Sequence, residues 1–261
     1  MSKLLLVLLL FCFSTEAVAA RRIVLLAPAA GDILLKLGVA DQVVGVTRNL
    51  KGFPRARQVG SHIHPNLEII RSLAPDLLII SSNRFFSEQM AAAIDAPVFT
   101  YHPRTLDEIL QQIGELAATL DKPTAGKRLI ARQRQKLTDL RPLTTTPKVI
   151  FEITAMPLIV AGSGHIVADI VNRAGGVLLA PSQRKLVRFN PESVLARQPD
   201  VYIYQVGPMN KNPLPPAERG PLKRLDARFL RVDELLFSRA NTHSFDNVLK
   251  LNRYFREASN G

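Results

Sequence analysis

The sequence predicts an α/β protein: two Rossmann-like lobes bridged by a long α-helical connector, with a cleft between the lobes. Three observations lead there. Short apolar runs alternate with stretches of helical periodicity. A helix-patterned block interrupts that alternation in mid-chain, and a Glu-to-Pro-Asp pattern occurs once on each side of the block. The chain has 261 residues, 47% of them apolar, which is enough for two lobes with cores of their own and excludes intrinsic disorder for the bulk of it.

The expected elements follow in order. Lys3, the apolar run from Leu4 to Phe13 and the small residues Ala17-Val18-Ala19-Ala20 form the three parts of a cleavable secretory signal over residues 1–20, cut near Ala19/Ala20. Its apolar run is about half the roughly twenty residues that a membrane span needs. The single cysteine, Cys12, lies inside this run and leaves with it; Phe11 stands where a lipoprotein signal needs a small residue. A lone cysteine also excludes a disulfide framework.

The mature chain begins with a buried strand over Arg22–Ala27, a helix over Gly31–Leu37 and a strand over Val43–Val46. A short helix over Asn66–Leu73 precedes a strand over Leu77–Ile80; a helical stretch over Ser87–Ile94 precedes one over Pro97–Thr100. Leu106, Ile109, Leu110, Ile113, Leu116 and Leu120 then recur at helical spacing behind Thr105, a suitable N-cap. A second helical stretch after Pro123 runs to about Leu140, with a basic face expected to be solvated. Strands at Val149–Ile153, Leu158–Ala161 and Val201–Tyr204, an apolar stretch at Ile166–Ala174 and a closing helix over Phe245–Phe255 complete the chain. The implied division is an N-terminal lobe over 21–104, a connector over 105–142 and a C-terminal lobe over 143–261.

Glu68 is followed after six residues by Pro75-Asp76 and an apolar strand, and Glu192 after six residues by Pro199-Asp200 and another. Two matches with one spacing imply related lobes, and clefts between lobes bind small ligands. The net charge of +12 points to an anionic partner. Lys3 and Glu16 cancel within the signal, so the mature chain keeps the whole excess, and export makes nucleic acid an unsuitable partner. Enzyme signatures are missing: no Gly-x-Ser-x-Gly elbow, phosphate loop or His-Glu-x-x-His helix occurs.

The mature chain resembles the helical-backbone periplasmic binding proteins, which deliver iron–siderophore complexes, haem or cobalamin to ABC importers. The resemblance rests on Ala29-Ala30-Gly31-Asp32-Ile33, Val43-Val44-Gly45-Val46, Asn66-Leu67-Glu68, Pro75-Asp76, Ala161-Gly162-Ser163-Gly164-His165, Ala174-Gly175-Gly176, Asn190-Pro191-Glu192 and Pro199-Asp200, in that order. It implies a monomeric, non-enzymatic periplasmic protein without an intrinsic cofactor, partnered by a small-molecule metal complex and by the importer's membrane subunits. It also implies that Glu68 and Glu192 dock onto those subunits, and that one helical connector limits hinge closure.

By the same resemblance, ligand contacts come from loops at the carboxyl ends of strands. Those loops carry Arg48, Asn49, His62, His64, Asn83, Arg84, Tyr101 and His102, then Arg184, Lys185 and Arg188, with Arg239 and His243 from the last loop. This set is basic, and guanidinium groups grip carboxylates and catecholates in bidentate fashion. An anionic ferric siderophore is therefore the first expectation and haem the second. Cobalamin is disfavoured by the absence of tryptophan, and oxyanions rank last. His62 and His64, two apart, would share one face of a strand and are the candidate metal ligands, with local hydrogen bonding as the plainer alternative.

Overall fold

The computed structural model describes residues 22–259; the expected signal and Cys12 lie outside them. The elements are β1 (Ile23–Leu25), α1 (Gly31–Lys36), β2 (Val43–Val46), β3 (Arg57–Gln58), α2 (Leu67–Ser72), β4 (Leu77–Ile80), α3 (Glu88–Ile94), β5 (Val98–Thr100), α4 (Leu106–Thr119) and α5 (Pro123–Thr138). They continue with β6 (Lys148–Thr154), β7 (Ile159–Ala161), α6 (Ile166–Arg173), β8 (Val177–Leu178), β9 (Leu186–Arg188), α7 (Pro191–Arg197), β10 (Val201–Val206), β11 (Arg228–Asp233), α8 (Glu234–Phe237) and α9 (His243–Ser259).

The first sheet is parallel throughout, in the order β3-β2-β1-β4-β5. The second runs β11-β10-β6-β7-β9, with β8 on the β7 edge of β6. Here β6, β8, β10 and β11 are parallel, whereas β7 runs antiparallel to β6 and β9 antiparallel to β7. The central strands are apolar on both faces, as strands covered on both sides must be. In β1, Ile23 and Leu25 enter one core while Val24 enters another. In β6, Val149, Phe151 and Ile153 face that first core and Ile150 faces a third.

The first core is common to both lobes. It takes inward residues of both sheets, Leu106, Ile109, Ile113 and Leu116 of α4, Ile166, Ile170 and Val171 of α6, and Phe245, Val248, Leu251 and Phe255 of α9. Each such side chain, fully buried, contributes about 1.5–3 kcal/mol. Polar ties reinforce the junction. The Leu106 N–H donates to Asp169 Oδ2 at 2.7 Å, Arg173 pairs with Asp107, and the Thr242 hydroxyl donates to Asp32 Oδ2 at 2.6 Å. Burial would raise the Asp32 carboxyl, but hydrogen bonds from Lys36 and Thr242 and the charges of Lys36 and His243 hold it below its ordinary value.

The segment expected as the connector folds as a hairpin of two packed helices, α4 and α5, rather than one rod. Thr105 caps α4, its Oγ1 accepting from the Glu108 N–H at 3.1 Å, and the chain turns at Asp121, whose φ is 53°. At Gly126 an added Cβ would lie 2.4 Å from the Ala117 Cβ, so glycine lets α5 approach α4. The repeated pattern also acquires a cause. The Asp76 Oδ1 accepts from the Arg22 N–H at 3.0 Å beside β1, and the Asp200 Oδ2 accepts from the Lys148 N–H at 2.6 Å in β6. Each Pro-Asp thus closes a helix–strand turn and pins the neighbouring strand.

Gly126→Ala is expected to lower the unfolding free energy even though alanine is the better helix former by about 1 kcal/mol. Ala117→Gly in the same chain should recover part of the loss, with a coupling of about 0.5–3 kcal/mol in urea-denaturation double-mutant cycles.

Candidate functional site

In both lobes the helices return antiparallel to the strands, so helix starts and loops after strands gather at the carboxyl edge of each sheet, where open α/β folds bind ligands. The two carboxyl edges meet. Tyr101, just after β5, donates its hydroxyl hydrogen to the Ala240 carbonyl at 2.8 Å, and Asp32 and Lys36 of α1 meet Thr242.

A basic cluster straddles this junction. His62 of the N-terminal lobe lies within electrostatic reach of Lys185 and Arg239 of the C-terminal lobe; desolvation first, then those two charges, lower its pKa. His102 is lowered by desolvation and by Lys185 and Arg104, against a raising backbone hydrogen bond at Ser81 and the charge of Glu108. Desolvation and the charge of Arg104 lower Lys185 as well. Arg239 is lowered by desolvation, opposed by Glu234 and Asp233. The imidazoles are therefore held towards neutrality and the cations carry the positive charge. His165 sits behind Lys185 at 3% exposure, its pKa pushed down to about 3 by burial and by Lys185. Its Nδ1 accepts from the Val167 N–H at 3.2 Å and so caps α6, which requires that nitrogen unprotonated.

On the N-terminal lip, His62 meets the Phe85 ring edge-on with centroids 6.1 Å apart, and the Arg84 guanidinium lies 5.5 Å from the same ring centre. Phe85 was not among the expected site residues; an aromatic side chain in a strand-terminal loop was the available signal. Arg48 stands next to this lip, its N–H donating to the Gly60 carbonyl at 2.8 Å. Arg48 and Asn49 are both exposed. On the opposite side the Gly162–Gly164 turn packs against the backbone of 182–185: a Cβ at Gly162 would lie 1.9 Å from the Arg184 carbonyl oxygen. The exposed Arg184, and Lys185, which reaches the surface while part of its side chain is desolvated, are thereby fixed at the mouth of the C-terminal lobe.

Several expectations change. His62 and His64 are not on a strand. The Ser61 N–H donates to the His64 carbonyl at 3.1 Å and the His64 N–H donates to Ser61 Oγ at 3.0 Å, closing a tight turn. The shared-face argument therefore fails, and only His62 faces the cluster. Among the described residues no three His, Cys, Asp or Glu side chains form a metal-binding group. Tyr101 is 1% exposed with its hydroxyl committed to Ala240, so it ties the lobes together and offers no surface to a ligand. Asn83 lines a pocket of about 240 Å³ between α3 and β5, none of whose lining residues belongs to the histidine cluster. Arg188 is an exposed residue of β9, paired with Ile159 of β7. His243 lies 3.5 Å from Asp32 in the junction.

Glu68 and Glu192 occupy equivalent places. Asn66 caps α2, accepting from the Ile69 N–H at 3.0 Å, and Asn190 caps α7, accepting from the Ser193 N–H at 2.7 Å. Each glutamate is the second helical residue, exposed, at the carboxyl edge of its sheet, and neither carboxylate has a hydrogen bond or ion pair among the described residues.

Two α/β lobes meeting at their strand ends around a basic cleft define a two-lobed solute-binding protein. Residues 23–213 match the family model described as periplasmic binding protein, and the chain belongs to that family of ABC-importer binding components, which are not enzymes. It is 29% identical over 205 residues to a vitamin B12-binding protein of Vibrio cholerae, covering 73% of this chain and 74% of that one. The crystal structure of the periplasmic vitamin B12 binding protein of Vibrio cholerae superposes with a TM-score of 0.77 at 23% identity, covering 93% and 99% of the two chains. The periplasmic haem-binding protein of the same organism gives 0.78 at 19% identity, covering 89% and 98%.

A histidine with a folded pKa of about 3 and an unfolded value of 6.5 stays neutral in the native state while the unfolded chain takes up the proton. Stability therefore falls as pH drops through that window and is regained as it rises. His165→Asn keeps a capping side chain but removes this titration. Urea midpoints compared at about pH 7 and about pH 5 should fall less in the variant than in the parent protein.

Proposed function

We propose that this periplasmic substrate-binding protein, exported by its N-terminal signal, captures a metal-centred tetrapyrrole between its lobes as a monomer. It then hands the ligand to an ABC importer through Glu68 and Glu192. Residues 21–104 and 143–261 act as the two jaws and 105–142 as the connector. The observation that carries the ligand class is the likeness, over nearly three quarters of both chains, to a protein named for vitamin B12 binding. Cobalamin is accordingly the first ligand.

Haem is the second reading, and a specific feature favours it. Lys185, Arg239 and Arg104 place cations around the imidazoles of His62 and His102, a setting that suits two propionates beside a metal that accepts a neutral imidazole. The ferric siderophore expected from the basic loops ranks behind both, because the relatives described above are named for vitamin B12 or haem. Exposed acidic groups at two helix starts, without partners among the described residues, supply two negative points on separate lobes for arginines of a membrane subunit.

Titration of the purified protein with cyanocobalamin and with haemin, followed by absorbance and thermal shift, is expected to give saturable one-to-one binding of one of them. Saturation only by an anionic ferric chelate would contradict the reading. Glu68→Lys with Glu192→Lys should abolish uptake in a transport assay while leaving affinity unchanged; an equal fall in affinity would remove the docking role.

A further inference from the structure

The exposed surface of α5 carries Lys127, Arg128, Arg132 and Arg134, and the helix contains no acidic residue. Gly126, Leu129 and Gln133 are buried on its inner side, where Ile130 and Leu137 also pack against the shared core. Residues four or seven apart lie on one side of a helix, so Arg128 and Arg132 stand on one flank and Lys127 and Arg134 on the other. The C-terminal helix runs alongside. Lys136 of α5 pairs with Asp246 of α9 at 2.5 Å, and the Arg141 N–H donates to Asn252 Oδ1 at 3.1 Å. Lys250 and Arg253, four and seven residues beyond Asp246, are exposed on the side of α9 that meets Lys136.

Elsewhere the chain pairs its helix cations: Lys36 lies 2.7 Å from Asp32 within α1, and Arg173 lies 3.6 Å from Asp169 within α6. Lys127, Arg128, Arg132, Arg134, Lys250 and Arg253 have no ion pair among the described residues, and the exposed acids Glu115, Asp121, Asp139 and Glu257 make none with them. Residues 127 to 134 span roughly 10 Å of helix axis, so cations on its two flanks do not converge on one small anion. A second copy of this chain, with the same net charge of +12, is repelled. The complementary partner is an extended anionic surface. The importer that the family serves sits in a bilayer, and each Lys or Arg close to an anionic lipid surface strengthens attachment by roughly fivefold. Glu68 and Glu192 belong to helices on the other faces of the two sheets. Ile70 of α2 enters the second core and Val194 of α7 the third, whereas α4 and α9 enter the shared one. The basic surface and the glutamates therefore do not share one patch.

We propose that the exposed surface of α5, continued by Lys250 and Arg253 of α9, adheres to anionic phospholipid head groups and holds the protein loosely on a bilayer before it docks. Adhesion of this kind is independent of the ligand that the cleft takes. The test is sedimentation of the protein, purified after export, with vesicles of phosphatidylcholine alone and of phosphatidylcholine mixed with phosphatidylglycerol. The parent is expected to bind the mixed vesicles and not the neutral ones, and to be released as added salt shortens the screening length. Lys127→Gln/Arg128→Gln/Arg132→Gln/Arg134→Gln should bind the mixed vesicles roughly tenfold or more weakly at an unchanged melting midpoint. Lys51→Gln/Lys211→Gln/Lys223→Gln/Arg224→Gln removes as much charge from exposed sites elsewhere and should bind nearly as the parent does. An equal loss in both variants overturns the proposal, because net charge alone would then act. Retention by the α5 variant overturns it too, as does a parent that ignores the mixed vesicles or binds both kinds alike. A parent that binds a heparin column but not the mixed vesicles assigns the surface to a soluble polyanion and overturns the bilayer. Should the α5 variant fail to fold, Lys250→Gln/Arg253→Gln decides: a several-fold weaker attachment supports the surface, and an unchanged one overturns it.

Discussion

Ile23, Leu25, Leu77 and Ile79 of one sheet and Val149, Phe151, Val201 and Ile203 of the other bury into the same core as α4, α6 and α9. Separate cores would let two lobes swing about a linker; a shared one resists, because opening it returns close-packed side chains to water. Thr242–Asp32, Arg173–Asp107 and Tyr101–Ala240 add directional ties across the same junction. The cleft is thus held at the strand ends by the layer beneath it.

On that frame the cleft is built of unequal walls. The N-terminal lip carries an imidazole, an aromatic ring and a guanidinium, whereas the C-terminal side presents Lys185 and Arg239. Desolvation keeps the histidines towards neutrality and so leaves positive charge to arginine and lysine. The same desolvation lowers Lys185 and Arg239, whose ordinary values lie far above those of the histidines.

Much of the fold was legible because burial on both faces leaves a plain mark. Val43–Val46 and Leu77–Ile80 have the bounds that their apolar runs suggest, and Thr105 caps α4 as its pattern requires. The repeated Pro-Asp is a local turn that pins a neighbouring strand in each half. Edge strands other than β5 escaped notice. The strand β11 mixes charged and apolar residues, and β3, β8 and β9 hold only two or three residues each, too few for periodicity to register.

The site was less legible, because its membership depends on contacts between distant segments. Nothing near Tyr101 announces that its hydroxyl reaches Ala240. His62 and His64 read as alternating residues until Ser61 closes the turn. The hydrogen bond from the Ala155 N–H to Asn210 joins segments 55 residues apart.

The central claim, a cleft preformed by one shared core, is tested most directly by distance measurement between the lobes. Spin labels on cysteines at positions 68 and 192, in a chain starting at Arg21 and so free of Cys12, report the separation by pulsed electron paramagnetic resonance. A single narrow distribution that stays in place when ligand is added is the predicted result. A broad or two-peaked distribution that collapses to a shorter distance on binding would contradict it.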